Sequence, residues 1–127
     1  MAATNSFRDL RVWQEAMLLV DDVYEISRRF PADERYGLTS QIRRAAVSIP
    51  SNIGEGSRRK RRRAYLHHLD ISLGSQGEVD VQMEIALRQR YLSRDRYDAI
   101  QSRIVRIGKM LNRLIQSLQP TEVDWAS

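Results

Sequence analysis

Apolar residues recur with the period of a helix between residues 38 and 53, and the pattern continues unbroken through a proline. The steps of four, three, four and four residues place these side chains on one helix face: Leu38, Ile42, Ala45, Ile49 and Ile53. Pro50 removes one backbone hydrogen bond and clashes with the carbonyl of Ala46. Because the stripe keeps its phase, we predict a helix that is kinked at Pro50 but does not end there. The hydroxyl of Ser48 or Ser51 would satisfy the freed backbone groups.

This helix is the second of four amphipathic segments. The first is predicted from about Asp9 to Arg29, the third from about Arg62 to Arg88, and the fourth from Ser93 to just before Pro120. The fourth carries a heptad seam whose steps alternate three and four: Tyr97, Ile100, Ile104, Ile107, Leu111, Leu114 and Leu118. Four long amphipathic helices with short connections predict an all-α fold, an antiparallel up-down-up-down four-helix bundle.

The chain length bounds the domain organisation. A chain of 127 residues fits a single four-helix-bundle domain over 1–127, with its core at about 7–118 and loose ends at 1–6 and 120–127. No apolar run approaches the roughly 18 residues that a membrane span needs. The N-terminal residues M-A-A-T-N-S lack the basic and apolar regions of a signal peptide. We therefore expect a cytoplasmic protein without membrane contact.

The first helix carries more apolar surface than one bundle needs. Its apolar residues cover roughly 200° of the circumference, whereas a bundle helix requires little more than ~100°. They form two adjacent stripes, Leu10, Trp13, Met17, Val20 and Tyr24 beside Val12, Ala16, Leu19, Val23 and Ile26. On the third helix, Ile71, Val81 and Ile85 likewise lie opposite the core face. The excess predicts a second contact surface and a homo-oligomer.

Polar and small residues interrupt the core face of the third helix. Ser72, Gln76 and Asp80 fall on or beside that face, where buried polar groups need partners and can fix helix register. Gly74 and Gly77 each cost about 1 kcal/mol relative to alanine in a helix interior. Such a cost indicates either the close approach of another backbone or a local distortion of the helix.

Charge is sorted along the chain. The net charge is +5, but the segment from Gln41 to Arg63 holds eight basic residues and one acid, whereas residues 9–34 hold seven acids and three arginines. A basic region favours polyanions through phosphate contacts and the release of counterions. It would equally suit the acidic region of a sister subunit, so the charge pattern alone leaves both interpretations open.

Two sets of cations are candidates for binding RNA or DNA. The densest is the basic run Arg58, Arg59, Lys60, Arg61, Arg62 and Arg63, supported by Arg43 and Arg44 on the second helix. The other lies on the fourth helix: Arg103, Arg106 and Arg113. The alternative for the run is a solvated charge cluster or an intersubunit salt-bridge surface. The alternative for the fourth-helix set is an ordinary solvated face.

The sequence carries no recognisable catalytic or metal-binding motif. It has no cysteine, no Ser/His/Asp order, no phosphate loop and no glycine fingerprint. His67 and His68 are adjacent and point about 100° apart on a helix, so they cannot share a simple metal site. The Glu-x-x-His pair of di-iron bundles is also missing. We therefore expect no enzyme activity, no metal and no cofactor.

Four stretches of the chain resemble a known family. They are F-R-D-L-R-V-W from Phe7, the block from Phe30 to Arg59, Y-L-H-H-L-D-I-S-L-G-S-Q-G-E from Tyr65, and G-K-M-L-N-R-L-I from Gly108. Together they resemble the bacterial four-helix-bundle protein family. Its members include proteins encoded by intervening sequences in genes for 23S ribosomal RNA. A related protein is the accessory variability determinant of diversity-generating retroelements.

The resemblance implies a small cytosolic protein that forms a homopentameric ring and has no known catalytic activity. The related retroelement protein is a basic pentamer that binds nucleic acid and reverse transcriptase. The resemblance therefore favours a non-enzymatic oligomer that binds structured RNA, ribosomal RNA or RNA–DNA intermediates. The alternative is a scaffold or assembly protein that acts through protein–protein contacts.

Overall fold

The computed structural model describes residues 6–119 and contains four α-helices and no strand within that range. The helices are α1 (Arg11–Ser27), α2 (Leu38–Ser57), α3 (Arg62–Arg88) and α4 (Arg94–Leu118), with 3-10 turns at Phe7–Asp9 and Ala32–Glu34. The predicted all-α fold is thereby confirmed. The expected loose ends lie outside the described residues, apart from Ser6, whose side chain caps the first 3-10 turn.

Helix α2 continues through Pro50, which is buried inside it. The prediction that this proline does not end the helix is confirmed, while the bend itself stays a prediction. The hydroxyl of Ser51 donates to the carbonyl of Val47 at 2.8 Å, and the Asn52 amide donates to the carbonyl of Ser48 at 3.0 Å. Each side chain reaches the carbonyl four residues before it, because that carbonyl lies directly below it on the helix face.

The helices pack as a bundle in which α1 contacts α2 and α4, α2 contacts α3, and α3 contacts α4. Buried serines join α2 to α3. The Ser72 hydroxyl donates to the carbonyl of Ile49 at 2.9 Å, and the Ser75 hydroxyl donates to the side-chain hydroxyl of Ser48 at 2.8 Å. The partner position on α2 falls as the position on α3 rises, which is the order that antiparallel neighbours produce.

Amides join α3 to α4 in the same descending order. Gln76 donates to the carbonyl of Ile104 at 3.0 Å, and Gln101 donates to the carboxylate of Asp80 at 2.9 Å. A Cβ atom at Gly108 would lie 2.8 Å from the Gln76 amide nitrogen, so this glycine leaves room for that side chain. The polar residues predicted on the core face of α3 therefore have partners across the helix interfaces.

The core follows the predicted stripes on α2 and α4. All five α2 stripe residues are buried, and five of the seven α4 seam residues are buried, with Leu114 and Leu118 packed against the core at its edge. On α1 only one stripe is buried: Val12, Ala16, Leu19, Val23 and Ile26. The other α1 stripe is partly exposed, with Met17 39% exposed. The wide apolar arc of α1 therefore lies partly outside the bundle.

The outer face of α3 is open. A Cβ atom at Gly74 or Gly77 would meet no atom within 4 Å, so the predicted close backbone approach does not occur at these glycines within the bundle. Ile71, Val81 and Ile85 are 39%, 61% and 43% exposed. This face of α3 therefore presents apolar side chains without a partner among residues 6–119.

Candidate nucleic-acid interface

The basic run, Arg58 to Arg63, spans the connection between α2 and α3 and the first two residues of α3. Arg58 is the C-cap of α2, Arg61 is the N-cap of α3, and all six residues are exposed. Arg59 forms a 2.7 Å ion pair with Glu55, one helical turn earlier. Both partners are about half exposed, so this pair contributes little to stability and leaves the run strongly positive.

The start of α3 concentrates positive charge where a helix is already positive. Arg61 makes no side-chain cap hydrogen bond, and the first turn contains Arg62 and Arg63 but no carboxylate. The N-terminal backbone N–H groups carry about half a positive charge in total, so cations there are unfavourable by a few tenths to about 1 kcal/mol each. An anion at this position would bind both the exposed N–H groups and the guanidinium groups.

The end of α2 and the start of α3 approach closely at Gly56. A Cβ atom at Gly56 would lie 2.8 Å from the Cβ of His68 and 3.0 Å from the Tyr65 ring. Tyr65 is half-buried, and burial raises the pKa of its hydroxyl. This aromatic ring therefore packs against the core beside Gly56, and the close contact fixes the position of the basic run relative to α3.

The start of the chain adds a cation that the sequence analysis missed. Phe7 packs over Gly54, and Arg8 stacks its guanidinium 4.6 Å from the Phe7 ring. Arg8 and Arg58 line one recess of about 480 Å³, together with Ser6, Phe7 and Ser57. The signal that could have found it is the predicted antiparallel order of the helices, in which the beginning of α1 lies beside the end of α2. We call this surface, Arg8 with Arg58 to Arg63, the basic end.

Two of the α4 arginines that were candidates for phosphate binding form ion pairs with α1 instead. Arg103 pairs with Glu15 at 3.1 Å and with Asp22 at 2.9 Å, and Arg106 pairs with Glu15 at 3.1 Å. Partial burial raises the pKa of Asp22 even though Arg103 beside it lowers that pKa. These arginines hold α4 to α1, and they would have to leave their carboxylates to bind phosphate. The third α4 arginine, Arg113, is exposed.

The two α2 arginines that were candidates for phosphate binding differ in burial and in contacts. Arg43 is half-buried, donates from Nε to the Ser27 hydroxyl at 2.7 Å, and stacks 4.7 Å from the Tyr24 ring. Arg44 is exposed and lies beside Ser40 and Tyr36 at the surface. They lie about four turns before the basic run, so the structure does not place them on the basic end.

A cluster of metal ligands or a helix that could span a membrane would point to a different function. Residues 6–119 contain no group of three or more His, Asp or Glu side chains that could hold a metal ion. His68 donates from Nδ1 to the Asn52 amide oxygen at 3.0 Å, which engages it in the contact between α2 and α3. None of the described helices is long and apolar enough to cross a membrane.

Comparison with known proteins supports the fold. No curated protein matches the chain significantly. A similar solved structure is the 1.70 Å crystal structure of a protein of unknown function from the S23 ribosomal protein family of Bacteroides thetaiotaomicron. The TM-score is 0.77 at 23% identity, over 83% of this chain and 95% of that one. At this identity the likeness establishes the fold alone.

A family model identifies the chain more directly. The model described as 23S rRNA-intervening sequence protein matches residues 8–113, which include all four helices except the last residues of α4. This confirms the resemblance that the sequence motifs indicated. The protein belongs to the 23S rRNA-intervening sequence protein family.

Proposed function

We propose that this protein is a non-enzymatic nucleic-acid-binding protein that grips phosphate groups with its basic end. The observation that carries the proposal is the exposure of six successive cations at the start of α3. Guanidinium groups bind phosphate oxygens in pairs of hydrogen bonds. Each neutralised phosphate also releases counterions, which makes this kind of surface effective on a polyanion.

The energetics of α3 support an anionic partner. Arg61, Arg62 and Arg63 stand at the positive end of a helix whose N-cap residue makes no capping bond through its side chain. Their mutual repulsion and their repulsion by the helix N-terminus would both be relieved by phosphate. Arg8 extends the same surface from a different part of the chain.

The favoured ligand is either structured RNA, such as ribosomal RNA, or an RNA–DNA intermediate, in the cytoplasm. The family is described by its association with intervening sequences of 23S rRNA. Phosphate contacts position a nucleic acid without reading its bases. The basic end therefore suits the backbone of a folded RNA more than a particular sequence.

The protein would act as a closed oligomer, and the resemblance to its family favours a homopentamer. An apolar groove of about 520 Å³ between α1 and α2 is lined by Trp13, Met17, Val20 and Val47, among others. The exposed outer face of α3 is a second, separate apolar surface. Contacts between two different surfaces generate a ring when the rotation closes. A ring would present several basic ends to one RNA and strengthen binding by avidity.

The same apolar surfaces favour a second function, a scaffold or assembly protein that acts through protein contacts. The salt dependence of RNA binding separates the two. For phosphate binding, the logarithm of affinity should fall with the logarithm of salt by about 0.7 to 0.9 per contacted phosphate. An oligomer without salt-dependent affinity for RNA would support the scaffold and contradict the proposed function.

A further inference from the structure

Tyr36 holds a large aromatic ring in solvent just before α2 begins. It is 87% exposed, although large aromatic rings usually bury most of their surface in the folded protein. The guanidinium of Arg35 lies 5.5 Å from the centroid of the ring. An aromatic ring that is exposed and flanked by a cation is available to stack on a planar partner.

The recess on the α1 side of Tyr36 is cationic. It measures about 550 Å³, and its lining includes Arg35, Arg43 and Arg44 with the rings of Tyr24 and Tyr36, but no carboxylate. Arg43 is fixed there by stacking 4.7 Å from Tyr24 and by its bond to a serine hydroxyl. We call this recess the tyrosine groove. Its cations are partly held in place before any ligand arrives.

The opposite side of Tyr36 differs in charge. The recess between α2 and α3 also includes Tyr36, Ser40 and Arg44, but Glu78 lines it as well. A phosphate group would be repelled by that carboxylate and attracted to the α1 side. The asymmetry therefore directs an anion into the tyrosine groove.

We propose that the tyrosine groove binds an unpaired segment of RNA, with a base stacked on Tyr36 and phosphate held by Arg35 and Arg44. Stacked rings and arginines are the usual means of holding single strands, because every base offers a flat face. A base inside a duplex cannot reach Tyr36, so the groove selects unpaired nucleotides.

The inference rests on the proposed function and adds a second contact to it. Arg44 and Arg58 are fourteen residues apart on one helix, or about 20 Å along its axis. The basic end would bind the phosphates of a paired region, and the tyrosine groove would take an adjoining unpaired strand. This combination fits a junction between helical and single-stranded RNA.

The test compares Tyr36→Ala with its matched control Tyr36→Phe, which keeps the ring. A short oligouridine RNA and a blunt RNA duplex are the two probes, measured at one salt concentration. Tyr36→Ala should weaken oligouridine binding roughly 5- to 100-fold, the equivalent of one lost stacking contact. Tyr36→Phe should bind oligouridine like the unmodified protein. Both variants should bind the duplex unchanged.

Each other outcome is decisive. If the unmodified protein binds neither probe, the proposed function fails and this inference fails with it. If it binds both probes and Tyr36→Ala does too, only the tyrosine groove is overturned. An equal loss on both probes, or a change in oligomeric mass for Tyr36→Ala, would also overturn the groove, because the ring would then have a structural role.

Discussion

The hydroxyl of Ser72 on α3 donates a 2.9 Å hydrogen bond to the carbonyl of Ile49 on α2, the residue immediately before Pro50. Both side chains are fully buried. A hydroxyl in such a place fixes the axial register of α3 against α2, because a shift of one residue would leave it buried without a partner. This contact therefore aligns the start of α3, and the basic run that precedes it, with the end of α2.

Replacement of Ser72 by alanine should lower the free energy of unfolding by about 1 kcal/mol, the usual net value of such a hydrogen bond. Urea denaturation measures the change. Ser102→Ala is the matched control, because Ser102 is exposed on α4 and the replacement makes the same chemical change on a helix surface. Equal stability of the two variants would show that the contact with Ile49 does not stabilise the fold.

At the opposite end of the bundle, the carboxylate of Glu34 joins the start of α2 to the segment that follows α3. It accepts from the backbone N–H of Leu38 at 3.0 Å and from the Tyr91 hydroxyl at 2.8 Å. These bonds, that of Leu38 first, lower the pKa of Glu34 below its ordinary 4.5. Its contribution to stability is therefore present above pH 4.5 and is lost as the pH falls through the lowered pKa.

Replacement of Glu34 by glutamine should remove that pH dependence. The unmodified protein should exceed Glu34→Gln in unfolding free energy at pH 7, and the gap should narrow under acid conditions. Urea denaturation at both pH values is the measurement, with Asp33→Asn as the control for loss of one exposed carboxylate. A gap that stays constant with pH would contradict the role of the two hydrogen bonds.

Glycines at two positions should respond oppositely to alanine. A Cβ atom at Gly74 meets open space, so Gly74→Ala should stabilise the fold by about 0.5 to 1 kcal/mol through helix propensity. At Gly56 the new methyl would lie 2.8 Å from the Cβ of His68, and overpacking should cost about 1 to 3 kcal/mol. Thermal or urea unfolding measures both, and changes of the same sign would refute this account of the glycines.

The apolar periodicity predicted the helices and most of the core. The residues of the apolar stripe from Ile42 to Ile53, for example, all lie on one face of α2, and that is the face that the bundle buries. The heptad seam of α4 was predicted equally well, because it is buried along most of its length. Periodicity could not reveal that Arg103 faces Glu15 and Asp22, since that depends on the rotation of α1 against α4. The spacing of the fourth-helix arginines alone therefore could not distinguish a phosphate surface from ion pairs with α1.

The remaining parts of the candidate surfaces could not be predicted, because their positions depend on the geometry of local turns. Arg8 joins Arg58 only because a 3-10 turn folds the chain start back over Gly54. The exposure of Tyr36 depends on the turn between Ala32 and Gly37, whose geometry the apolar pattern does not encode. By contrast, the basic run was predictable because six consecutive cations cannot all be buried in any helical arrangement.

Assembly should depend on the apolar surfaces that the bundle leaves open. Met17→Glu in the groove between α1 and α2, or Val81→Glu on the outer face of α3, would place a charge in the proposed subunit contact. Sedimentation equilibrium should give an oligomer for the unmodified protein and a lower mass for both variants. Lys109→Glu, exposed on α4, is the control and should keep its mass. A monomeric unmodified protein at micromolar concentration would contradict the ring.

The basic end is the central claim, and its most direct test is the salt dependence of RNA binding by the variant Lys60→Gln, Arg61→Gln, Arg63→Gln. The control removes three exposed cations from the other end of the bundle: Arg28→Gln, Arg29→Gln, Arg90→Gln. If each replaced cation contacts one phosphate, the slope of log affinity against log salt should flatten by about 2 to 3 in the first variant only. The oligomeric mass should stay unchanged. An intact oligomer with an unchanged slope, or dissociation of the oligomer without a change in RNA affinity, would contradict phosphate binding by the run.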